Sequence, residues 1–132
     1  MKKIVAITAI AILLIVSSCK KGPGEGGNST IVGKVWVKDY NSDFTIFNGE
    51  YAGADEDVYI IYGDDVSYGD KVKSGPDGVF EFKYLRPGKY KVYVYSKDKT
   101  QTTVSNMVAV EATPEITKKK QTVDAGTLQI YN

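Results

Sequence analysis

The chain has 132 residues, 17 Lys and Arg against 16 Asp and Glu, no histidine and one cysteine. A near-neutral balance lacks the cationic excess that binding to a phosphate backbone requires, so no nucleic-acid partner is expected. Without histidine, and with a single thiol, the sequence holds no serine-histidine or cysteine-histidine pair, no internal disulfide and no histidine or paired-thiolate zinc site. It is read as a protein that is not an enzyme.

The first element is a leader. Lys2 and Lys3 precede an apolar run from Ile4 to Val16, followed by Ser17, Ser18 and Cys19. As a helix that run would cover ~20 Å, short of a ~30 Å hydrocarbon core, so it fits an export signal better than a membrane span. Val16-Ser17-Ser18-Cys19 resembles the lipobox of bacterial lipoproteins, here of a Bacteroidota-like kind. The resemblance implies cleavage after residue 18 and a covalent lipid on Cys19, with the membrane as a partner. In that class an aspartate after the cysteine favours retention in the inner membrane. Lys20 stands there instead, so an outer-membrane lipoprotein of the cell envelope is expected, facing either the periplasm or the surface.

Residues 19–29 follow as the lipidated cysteine and a tether. Lys20 to Ser29 contains no large apolar side chain and has glycine at Gly22, Gly24, Gly26 and Gly27. A flexible segment of that length has a typical end-to-end distance of ~17 Å.

From Thr30 the pattern changes to strict alternation, the mark of half-buried strands. Ile31, Val35 and Val37 share one face of a first strand. Val58, Ile60 and Tyr62 share one in a second, and a short third covers residues 70–74. Phe80 and Phe82 point inward from a fourth, and Tyr90, Val92 and Val94 from a fifth. Val104, Val108 and Val110 mark a sixth, and Leu128 with Ile130 mark the last. The expectation is all-β: one seven-stranded antiparallel β-sandwich over residues 30–132, a normal size for a single core.

The most specific stretch runs from Asp77 to Val94. Asp77-Gly78 suits a tight hairpin, Pro87-Gly88 presets a second turn, and Phe80, Phe82, Leu85, Tyr90, Val92 and Val94 feed one core between them. This run resembles the carboxypeptidase regulatory-like and transthyretin-like superfamily. The resemblance implies a prealbumin-like or Ig-like fold and a noncatalytic module.

Gly33-Lys34-Val35-Trp36 is similar to the opening of the B-type modules of serine-aspartate repeat adhesins, in which a calcium loop follows. Here Asp39, Asn41, Asp43, Thr45 and Glu50 fall at loop positions 1, 3, 5, 7 and 12, where calcium loops place oxygen ligands. Phe44 occupies position 6, which normally calls for glycine. A calcium-stabilised adhesin-like module is therefore one alternative reading. Its rival is a solvated polar loop that holds no ion, in a domain without a cofactor.

Ten tyrosines are present, and alternation places Tyr59, Tyr93 and Tyr95 on faces opposite the core. Such rows offer large apolar area with little side-chain entropy to lose. The leading expectation is a membrane-anchored binding or structural module for another envelope or extracellular component, contacted through these tyrosines or an exposed sheet edge. A carbohydrate-binding module using the same tyrosines is the other alternative, so an envelope protein or a glycan is the expected partner.

Overall fold

The computed structural model describes residues 21–132. The expected leader and Cys19 lie outside the described residues. Among the described residues there is no helix. They form β1 (Glu25–Tyr40), β2 (Phe47–Ala52), β3 (Asp57–Tyr62), β4 (Asp70–Lys73), β5 (Val79–Leu85), β6 (Gly88–Lys97), β7 (Met107–Ala112), β8 (Glu115–Ile116) and β9 (Thr122–Tyr131).

Two sheets face one another. The first is organised on β1, whose length lets it serve several partners: β5 and then β2 run antiparallel along it, and β9 pairs with it in parallel. The second has the order β4-β3-β6-β7, with β8 on β6 beyond the end of β7. Ile31, Val35, Val37, Phe80, Phe82 and Leu128 from the first sheet meet Val58, Ile60, Tyr90, Val92 and Val94 from the second in one buried core. Every second residue contributes because successive strand side chains point to opposite faces.

The all-β reading and its inward positions agree with this architecture, and four details differ. There are nine strands, not seven, because β2 and β8 also pair. β2 carries no buried alternation, since it is an edge strand bonded to β1 alone. The sheets are not wholly antiparallel: β9 returns to the first sheet in the same direction as β1, with Val35 opposite Leu128 and Val37 opposite Ile130.

Residues 25–29, expected to belong to the tether, lie in β1, which begins at Glu25. Residues 22–25 are held from a distance: Arg86 Nε donates to the Gly22 carbonyl at 2.7 Å, and Gly24 N–H donates to the Tyr90 hydroxyl at 2.9 Å. Val104, expected to lie in a strand, is fully exposed in the loop before β7.

Candidate binding surfaces

The outer face of the second sheet carries a tyrosine cluster. Antiparallel register sets Tyr59 of β3 directly opposite Tyr93 of β6, and Tyr95 stands two residues further along the same face. The Tyr59 and Tyr93 rings are stacked, with centroids 5.0 Å apart and planes 12° apart. Tyr95 meets both edge-on at 5.7 Å. Tyr68, from the loop between β3 and β4, meets Tyr59 edge-on at 4.9 Å. The structure thus brings together the three tyrosines expected from alternation and adds a fourth. Tyr68 was not legible because a lone tyrosine in a Ser-Tyr-Gly loop has no period to read.

A charged rim surrounds the rings. Lys71 of β4 lies opposite Tyr59, and Glu111 of β7 lies opposite Tyr93 with Lys91 3.8 Å from its carboxylate. Lys73 and Asp57 pair at 3.2 Å along the same face. Burial, and then the neighbouring Tyr95, Tyr59 and Tyr68 phenols, hold the Tyr93 hydroxyl above its ordinary range. It therefore remains a protonated donor at neutral pH. The stacking of Tyr59 and Tyr93 covers one face of each ring with the other, while Tyr68 and Tyr95 keep half their surface exposed. Such a patch is apolar in area and polar at its tips.

The far end of β1 carries the residues expected to bind calcium. Asn41, Asp43 and Thr45 come together, but they serve their own turn. The Asn41 Oδ1 accepts from Thr45 N–H and Ile46 N–H at 2.9 Å, and the Asp43 Oδ1 accepts from the Thr45 hydroxyl at 2.7 Å. That bond and burial act in opposite senses on Asp43, and its carboxyl is held below the ordinary value. Asp39 instead accepts from the Tyr51 hydroxyl at 3.2 Å, and Glu50, out on β2, accepts from Trp36 Nε1 at 3.0 Å. Phe44 takes the left-handed φ of 58° that its position in the register demands. Its ring joins Tyr40, Phe47 and Tyr131, with Lys99 Nζ 4.6 Å from the centre of the Tyr40 ring. As placed, the carboxylates do not converge into a calcium cage. Among the described residues no three His, Cys, Asp or Glu side chains are close enough to hold a metal ion.

Beside that turn, Asp98 organises the loop from β6 to β7, a role not visible in alternation. Its Oδ1 accepts from the Thr100 N–H and hydroxyl, and its Oδ2 from the N–H groups of Thr102 and Thr103, at distances of 2.6–3.0 Å. The Asp-x-Thr-x-Thr-Thr spelling is the signal that could have found it, since such side chains cap local turns. These bonds, led by the Thr100 hydroxyl, hold the Asp98 carboxyl well below the usual carboxylate range. A depressed native value means that its contribution is complete above the unfolded-state value near ~4 and is lost as pH falls through the native one. Asp98→Asn is expected to raise amide hydrogen exchange at Thr100, Thr102 and Thr103 while leaving Val92 and Val94 protected. Unchanged exchange in the loop would show that the carboxylate does not hold it.

No family model and no curated protein matches the chain. Among solved structures it is similar to a crystal structure of a protein from Pseudomonas aeruginosa that has been proposed to bind carbohydrate. The identity is 10%, the match covers 83% of this chain and 91% of that one, and the TM-score is 0.43.

Proposed function

We propose that this chain is a noncatalytic, lipid-anchored module of the outer membrane that binds a protein of the envelope through the tyrosine face of its second sheet. The observation that carries this reading is the cluster of Tyr59, Tyr68, Tyr93 and Tyr95, in which Tyr59, Tyr93 and Tyr95 touch one another and Tyr68 touches Tyr59, on the outward side of the sheet. Rigid, partly exposed aromatic patches with a charged rim have the composition of protein contact sites, where tyrosine is enriched at energetic centres. The stacking of Tyr59 on Tyr93 favours a protein over a sugar, because one face of each ring is already used on the other. A glycan remains the second reading, served by the half-exposed rings of Tyr68 and Tyr95. The lack of histidine and the lipobox-like Cys19 support the noncatalytic and anchored parts of the proposal.

The test is co-purification of the full chain from solubilised envelope, alongside Tyr68→Ser/Tyr95→Ser, with titration of envelope glycans as a second arm. Both side chains are half exposed, so the melting temperature should move little. Truncating a central tyrosine typically costs about 2 kcal/mol of binding, so a loss of roughly thirtyfold in affinity is expected. A glycan that binds the wild type and not the variant would replace the protein partner. Identical partners and affinities for both chains would remove the tyrosine face from the function.

A further inference from the structure

The end of the domain nearest Cys19 is built, not loose. Arg86 Nε and Nη1 donate to the carbonyls of Gly22 and Glu25, and Arg86 N–H donates to the Gly24 carbonyl at 2.9 Å. The buried Ser29 hydroxyl donates to the Lys118 carbonyl at 3.0 Å and accepts from Gln121 N–H at 3.1 Å. Lys120 N–H donates to Asn28 Oδ1 at 3.0 Å. The loop Lys118-Lys119-Lys120 is thereby pinned beside the N-terminal segment. Lys21, Arg86 and Lys119 line a shared groove with Gly26, Gly27, Asn28 and Pro87, and among the described residues no acidic side chain lines it. The acids of this end border separate depressions, Glu25 and Asp70 one, and Asp64 and Glu115 another that they share with Lys89 and Lys91.

Only Lys20 separates Cys19 from Lys21, two residue steps with a reach of at most ~7 Å. That is shorter than the ~10 Å over which charges act at 0.1 M salt.

We infer that this groove and the Lys118 to Lys120 loop form a seat for an anionic lipid surface, so that the domain stands on the membrane by this end. The inference rests on the lipid-anchor reading. β1 then runs away from the headgroups, and the ten steps from Thr30 to Tyr40 at ~3.3 Å each carry the Tyr40 end about 33 Å outward.

The full lipidated chain in vesicles tests the seat. With Cys19 acylated, a single cysteine introduced at Thr117 or at Ser42 is a unique label site, one beside the lysine loop and the other at the far end. Vesicles of phosphatidylcholine, alone or with a third replaced by phosphatidylglycerol, carry a headgroup quencher. In anionic vesicles the Thr117 label should be quenched and the Ser42 label spared. Near an anionic surface each lysine contributes roughly fivefold. The triple variant Lys118→Glu/Lys119→Glu/Lys120→Glu should therefore lose the seated orientation by more than tenfold, as should wild type in high salt. A chain that floats with the vesicles yet quenches equally at both sites, or ignores the charge reversal, overturns the seat alone. A chain that does not float overturns the anchor, and the seat with it.

Discussion

Replacing Phe80 with alanine is expected to lower the free energy of unfolding by about 3–5 kcal/mol, the range for deleting a buried phenylalanine. Phe80 is 1% exposed and its ring centre lies 6.1 Å from that of Phe82, at the middle of the core. It also has a fitted partner. Gly33 is its cross-strand neighbour on β1, and a Cβ built there would stand 2.3 Å from the Phe80 Cζ. A ring therefore occupies the space that a side chain at 33 would fill. Gly33→Ala should cost about 1–3 kcal/mol by overpacking, and Gly33→Ala combined with Phe80→Leu should cost clearly less than the two separate losses added together. Guanidinium unfolding of the four chains measures this. Strict additivity would show that the two positions do not share a space, and a loss below about 1 kcal/mol for Phe80→Ala would place the ring outside a well-packed core.

That core was legible because it is written in alternation. Ile31, Val35, Phe80, Phe82, Val92 and Val94 each sit two residues from another inward side chain, and the turn at Asp77-Gly78 closes where expected, with Gly78 N–H donating to the Gly75 carbonyl at 2.9 Å. The same period placed Tyr59, Tyr93 and Tyr95 outward. What alternation does not encode is who pairs with whom. Nothing in Val123 to Ile130 says that its strand will lie parallel to β1, and nothing in Phe47 to Ala52, where Asn48, Gly49 and Glu50 interrupt the apolar residues, marks an edge strand. The residues at the calcium-register positions are spread apart for a related reason. Asn41 accepts from the Thr45 N–H and Asp43 from the Thr45 hydroxyl within their own turn, and Glu50 follows β2 to the Trp36 indole instead of folding back over the loop. Gly22 to Gly27 read as a tether because its composition is that of one. Its order is imposed by Arg86 and Tyr90, more than sixty residues later.

The dock of that segment gives the second large effect. The Tyr90 ring is 3% exposed, and its hydroxyl accepts from Gly24 N–H at 2.9 Å and donates to the Arg86 carbonyl. Tyr90→Phe keeps the ring and removes the hydroxyl, leaving a buried N–H with no partner. A group so orphaned costs about 1–3 kcal/mol. Arg86→Ala should release the same segment, because the guanidinium holds the Gly22 and Glu25 carbonyls.

A signature beyond lost stability comes from Tyr62, whose hydroxyl donates to Glu25 Oε1 at 3.3 Å. Burial, followed by the charges of Glu25 and Asp70, pushes the Tyr62 phenol up to about 12, and burial raises Tyr90 as well. A phenol whose native value is raised stabilises the fold fully below the unfolded-state value near ~10, and that contribution disappears as pH rises through the native one. Alkaline titration of tyrosinate absorbance should therefore show a late-ionising fraction in the wild type, and the dock should weaken between pH 10 and about 12. In Arg86→Ala, which removes no phenol, the late fraction should shift toward the ordinary range as residues 22–25 leave Tyr62 to solvent. Wild-type titration and wild-type stability in Arg86→Ala would mean that the N-terminal segment is not held by this dock, and the domain would then be free to swing on the longer tether that its glycines suggest.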